Sequence, residues 1–197
     1  MVRGYHVILS VYGFWLPNDP RGSWSEFVRS WELLRFGSAT KVDTRASVAG
    51  REHDRDMRRA AKTKLRYPPV QLSGVQARAV GRGFAESVSK TKATIWACSI
   101  LPEHMHLVIA RHDYVVEQVV NLMKGRATKA LIRENIHPFA AYPTRTDRMP
   151  KVFARGHWKV YLDSDADIRR AIEYVERNPV KERKPRQTWN FVTPFDP

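Results

Sequence analysis

Apolar positions along the chain fall into short strand-like runs and longer helical stripes. Residues 5–12 (YHVILSVY) are dense in β-branched and aromatic side chains and predict a buried strand. Residues 13–22 are rich in glycine, proline and asparagine and predict turns. No sustained period follows until residue 70. That stretch predicts only short helices near 25–36 and 53–66, and it closes on Tyr67-Pro68-Pro69. Its basic part, 51–66, reads as a solvated helix or as an arm facing DNA.

A regular pattern then begins. Ser73 is a natural N-cap for a helix running to about Lys90, with Ala77, Val80, Phe84 and Val88 as its stripe despite two glycines. Residues 93–99 and 105–110 predict two strands joined by a hairpin at Leu101-Pro102-Glu103. Residues 114–134 carry the strongest helical period, through Val116, Val119, Val120, Met123, Ala127, Ala130 and Leu131. A loop rich in proline and base spans 136–155, and 157–162 alternates like a strand. Residues 163–177 predict a last helix with an acidic first turn, which suits the helix dipole. Pro179 is expected to end it, because a residue before proline is driven from helical geometry.

The predicted order is β, insertion, α, β, β, α, β, α. Without the insertion and the last helix this is the α+β split βαβ pattern, ferredoxin-like, with an antiparallel sheet. The expectation is one domain over 1–197, with a long insertion at about 13–70 and an extra C-terminal helix. Neither an internal repeat nor a second core is visible.

Composition narrows the chemistry. The 197 residues include 34 Lys+Arg against 20 Asp+Glu, a formal charge of +14. Such an excess points to a polyanionic partner. At 43% hydrophobic the chain can bury a sizeable core. A single cysteine, Cys98, excludes an intrachain disulfide and fits a reducing cytoplasm. No run approaches a membrane span, and the N-terminus enters a strand-like run at once, so neither membrane insertion nor a signal peptide is expected.

Candidate chemistry lies in two short segments. In Glu103-His104-Met105-His106-Leu107, the alternation of a strand puts both imidazoles on one face and Met105 on the other. Two neutral imidazoles on a rigid surface can chelate a divalent cation. His-x-His alone is equally a mark of structural histidines, and a lone cysteine supplies no soft-ligand zinc cluster. In Ile172-Glu173-Tyr174-Val175-Glu176-Arg177-Asn178-Pro179, Tyr174 and Asn178 lie four apart on one helix face. By themselves they also fit a half-buried core tyrosine and a helix terminator.

Together these segments resemble the single-tyrosine HUH transposases, especially their REP-associated relatives. The resemblance covers the first strand and about 73–180, and its marks are Leu101-Pro102-Glu103-His104-Met105-His106-Leu107-Val108 and Ala171-Ile172-Glu173-Tyr174-Val175-Glu176-Arg177-Asn178-Pro179-Val180. It implies that His104 and His106 bind the catalytic metal, that Tyr174 is the nucleophile, and that Asn178 completes the metal site. It implies cleavage and rejoining of single-stranded DNA at hairpin or repeat ends through a 5′-phosphotyrosine, without ATP. Two imidazoles and an amide oxygen suit Mg²⁺ or Mn²⁺, and Mn²⁺ accepts imidazole more readily. The insertion is longer than in minimal members, and Asn178 stands where the wider family uses glutamine.

The expected partner is single-stranded or hairpin DNA. Nine basic residues against two acidic ones mark 121–159 as its surface. Lys124, Arg126, Lys129, Arg155 and Lys159 are candidate backbone contacts and Trp158 a candidate platform for unpaired bases; Arg145 and Asp147 also belong to this segment. The plain alternatives are solvated cations and a core tryptophan. Lys181 to Arg186 is a second basic run, either another contact or a solvated tail. Rival functions are a replication-initiator or relaxase-like nickase, and a domesticated, non-catalytic nucleic-acid-binding protein. Monomer and homodimer both remain open.

Overall fold

A computed structural model describes residues 1–42, 48–142 and 148–196. Its elements follow the predicted order: β1 (Gly4–Ser10), α1 (Trp31–Leu34), α2 (Arg55–Thr63), α3 (Gly74–Thr91), β2 (Ile95–Ile100), β3 (His104–Ala110), α4 (Val116–Arg133), β4 (Trp158–Leu162) and α5 (Asp165–Lys181). The strands form one four-stranded sheet in the order β2-β3-β1-β4, antiparallel at every pairing. Arg145 and Asp147 lie outside the described residues.

Strand alternation sorts the two faces. Val7 and Leu9 of β1, with Met105, Leu107 and Ile109 of β3, point into the larger core beneath α3 and α4. Val108, Ala97 and Leu162 point the other way, onto Ile168, Ala171 and Val175 of α5. Helices therefore cover both faces, and α5 packs mainly on β2 and β3.

Local signals explain the helix boundaries. Ser73 caps α3 by accepting from the Gln76 N–H, and Gln76 returns a bond to the Ser73 N–H. Ser164 and Asp167 form the same reciprocal cap on α5. Gly83 lets α3 and α4 approach closely: a Cβ there would fall 2.4 Å from the Ala127 Cα. None of the helices among the described residues is long and apolar enough to cross a membrane.

Three expectations need correction. The helix expected near 25–36 is a single turn, because Phe27 and Trp31 are exposed and Leu33 is the one buried residue of that turn. The insertion holds a small cluster of its own, Leu16, Leu33 and Ala61, backed by Val28, Phe36 and Leu65. These residues are too scattered to show a period. The third correction is Pro179, which lies inside α5 rather than ending it. Proline removes one helical N–H, but the bonds beyond it still form: the Glu182 N–H donates to the Asn178 carbonyl at 3.2 Å and to that of Pro179 at 3.1 Å. Burial of Asn178 and Pro179 holds this turn down.

Candidate active site between β1, β3 and α5

His104 and His106 project from the same face of β3, their ring centroids 5.0 Å apart. A third imidazole joins them. His6 of β1 pairs in register with Val108, which sets it diagonally across from His106 on that face. Its Nε2 lies 3.0 Å from the His106 Nδ1, within hydrogen-bond distance. The composition of residues 5–12 had marked His6 only as part of a buried strand. Its place in an apolar run, on the same parity as Ile8 and opposite Val7 and Leu9, was the available signal.

Helix α5 brings Tyr174 over this group. Its ring centroid is 5.4 Å from that of His106 and 5.6 Å from that of His6. The Lys181 ammonium lies 4.9 Å from the same ring centroid. Tyr174 remains 43% exposed, so its hydroxyl can meet a ligand from solvent. Burial and the Glu182 carboxylate raise its pKa above the ordinary phenol value, so it rests as a neutral phenol.

Burial also keeps the imidazoles neutral. His6 is pushed down to about 4, and His106 to about 2, where the neighbouring His104 and His6 add to the effect. His104 is lowered by burial against the opposing charges of Glu182 and Glu103. Its ring stacks on Phe14, centroids 5.1 Å apart and planes 8° apart. Its Nε2 faces a Glu182 oxygen at 3.7 Å, and its Nδ1 is buried without a partner. Phe14 and Glu182 had no legible role in the sequence. Both are brought in by tertiary packing.

Asn178 lies one turn after Tyr174, only 7% exposed, with its Nδ2 buried and unpartnered. A side-chain amide can be turned over, which would offer an oxygen where the Nδ2 now stands. Among the described residues no three His, Cys, Asp or Glu side chains form a closed metal-binding group. A set built on His104 and His106 therefore depends on oxygen from Asn178 or from a ligand. Neutral imidazoles and an unsatisfied buried amide are donors that such an ion can use.

The expected DNA contacts divide. Lys124 is a correction: it is buried, and its Nζ donates to the carbonyls of Ala154 (3.0 Å), Arg155 (3.3 Å) and Gly156 (2.7 Å). It fastens the loop before β4 to α4 and does not face a ligand. Trp158 is half-buried and packs edge-on against Trp24, centroids 4.0 Å apart. Lys159 is ion-paired with Glu117, which offsets its charge. Lys129 and Arg155 are exposed, and Arg126 is half-buried.

The chain matches no family model and no curated protein. Among solved structures, a REP-associated tyrosine transposase bound to a REP hairpin is similar at 13% identity and a TM-score of 0.48, over 91% of this chain and 68% of that one.

Proposed function

We propose that this protein is a transposase-like enzyme that cleaves and rejoins single-stranded DNA on a ferredoxin-like scaffold, with Tyr174 as its nucleophile. One observation supports the reading above others: α5 sets a partly exposed tyrosine against a histidine pair aimed from one strand face. The HUH-like marks at 101–108 and 171–180 supply the reaction class. The sheet order β2-β3-β1-β4 is compatible with the split βαβ scaffold.

In this reading the Tyr174 oxygen attacks a backbone phosphorus. A tyrosine O–P bond forms and the P–O bond to the 3′ oxygen breaks. The phenol proton is lost and the departing oxygen takes one up, leaving a 3′-hydroxyl and a 5′-phosphotyrosine. Attack by another 3′-hydroxyl reverses the exchange and rejoins a strand, so one bond energy is conserved throughout. His104, His106 and the amide oxygen of Asn178 would hold Mg²⁺ or Mn²⁺. When bound, that ion supplies Lewis acidity toward the phosphate. The chain's own contribution is placement: α5 fixes Tyr174, His6 orients His106, and Lys181 offers a positive charge beside the forming phenolate. Lys129, Arg126 and Arg155 would track the backbone.

Incubation with hairpin-bearing single strands and Mn²⁺ tests this. A covalent protein–DNA adduct is expected, absent in Tyr174→Phe, with DNA binding kept. An undiminished adduct in that variant overturns the assignment.

A further inference from the structure

The insertion contains a basic cleft of about 510 Å³, with Arg21, His53, Arg55, Arg58, Arg59 and Lys62 on its walls and no carboxylate among its lining residues. Two nearby acids offset part of this charge by pairing with Arg21 and Arg59 of the walls, and a third caps a helix. Asp19 holds Arg21 through two hydrogen bonds, Nε to Oδ1 at 2.8 Å and Nη2 to Oδ2 at 2.9 Å. Asp54 caps α2 by accepting from the N–H groups of Asp56 and Met57, and Asp56 pairs with Arg59 at 3.1 Å. Among the described residues, the guanidinium groups of Arg55 and Arg58 are left without a carboxylate partner.

Two further observations point to an anionic ligand. The His53 Nδ1 lies 2.8 Å from the Arg51 carbonyl, while its Nε2 is shielded from solvent and has no partner. Lys62 is held below the ordinary lysine range by burial, and the positive charges of Arg58 and Arg21 add to that effect while Glu103 and Asp19 oppose it. A bound phosphate would relieve this crowding of like charge.

The cleft also connects to the histidines. The Lys62 ammonium is 5.6 Å from the Phe14 ring centroid, and Phe14 in turn stacks on His104. Phe14 thus links Lys62 of α2 to His104 of β3.

We propose that this cleft is a second binding site for the phosphodiester backbone of single-stranded DNA, separate from the 121–159 patch, and that it leads the strand along α2 toward His104. The proposal rests on the preceding reading only for where the strand goes, not for whether the cleft binds it. Arg55 and Arg58 supply paired donors to successive phosphates, and Lys62 contacts the phosphate nearest Phe14.

The test is fluorescence anisotropy of a labelled single strand of about 30 nucleotides, with the full chain in chelator, over a range of salt. The variant Arg55→Ser/Arg58→Ser removes two positive charges from the cleft. It is expected to weaken binding about tenfold at about 0.1 M salt and to reduce the log–log salt slope by about 1.4. Arg55→Lys/Arg58→Lys keeps the charge and should keep most of the affinity. Lys90→Ser/Lys92→Asn removes the same charge from exposed positions at the end of α3, and its affinity should change far less. Unchanged affinity and slope in the serine pair overturn the proposal. So does an equal loss in the α3 variant, which would mean that total charge alone matters, or an equal loss in the lysine pair. Because anisotropy reads binding alone, a protein that never forms the Tyr174 adduct still gives the expected result, and the two readings fail separately.

Discussion

His6 and His106 share one hydrogen bond of 3.0 Å across adjacent strands, and that bond decides which nitrogen of His106 is available. Both rings are neutral, so one nitrogen of the pair carries the proton and the other accepts it. When His106 donates from Nδ1, its Nε2 keeps a lone pair for a cation. When His6 donates instead, the His106 Nε2 carries hydrogen and cannot ligate. An ion at His106 therefore selects the first arrangement, with His6 as acceptor. His6→Gln retains a carbonyl acceptor and should keep most of the Mn²⁺ affinity. His6→Ala should lower it about tenfold, in the range found when a metal-bound histidine loses its partner. Calorimetric titration reads both. Equal affinity in wild type and His6→Ala would show that His6 only packs.

The basic residues should separate into structural and ligand-facing ones. Lys124 donates three bonds from a buried position, and burial pushes its pKa down to about 8, so it is still largely charged at neutral pH. Lys124→Met leaves loop carbonyls without a donor and should cost about 2 kcal/mol of stability, seen as a lower thermal midpoint. Lys129→Glu and Arg155→Glu, both at exposed positions, should leave the midpoint nearly unchanged and flatten the salt dependence of DNA binding. A stable Lys124→Met with weakened DNA binding would reverse this division.

Much of this arrangement was legible in sequence because it depends on short-range periods. The alternation in β3 put His104 and His106 on one face, and the helical spacing of Tyr174 and Asn178 put both on one side of α5. What escaped depends on contacts between distant segments. His6 reaches His106 through strand register, Phe14 reaches His104 from the insertion, and Lys124 meets the carbonyls of 154–156 across the fold. A basic residue on an otherwise apolar stripe looks the same in sequence whether it faces solvent or fastens a loop. Pro179 misled for a related reason: the local preference against helix was overridden by burial of Asn178 and Pro179.

Asn178 offers a direct test of whether α5 contributes to the proposed metal site. Its amide is buried with one polar atom unsatisfied, which costs free energy unless something occupies that position. If the amide oxygen binds the ion, Asn178→Ala should weaken cleavage at limiting Mn²⁺ and be partly rescued at high Mn²⁺. Asn178→Asp should bind Mn²⁺ at least as tightly, because it offers a carboxylate oxygen. A metal titration of cleavage that is identical in all three proteins would remove Asn178 from the site.

Away from the site, His137 should make the fold sensitive to acid. It is 4% exposed, its Nδ1 accepts from the Phe139 N–H at 3.2 Å, and its Nε2 is buried without a partner. Burial lowers its pKa below the ordinary imidazole value of 6.5. The unfolded chain therefore takes up a proton near 6.5 that the folded chain refuses until lower pH. The stability contributed by neutral His137 is fully present above about pH 6.5 and is lost as pH falls through its folded value. His137→Asn places an amide oxygen where it can accept the same N–H, two residues on, and it does not titrate. Urea unfolding in chelator, from about pH 7 to about pH 5, should show wild type losing stability more steeply than His137→Asn, with the other histidines common to both. Parallel curves would mean that His137 titrates alike in the folded and unfolded chains.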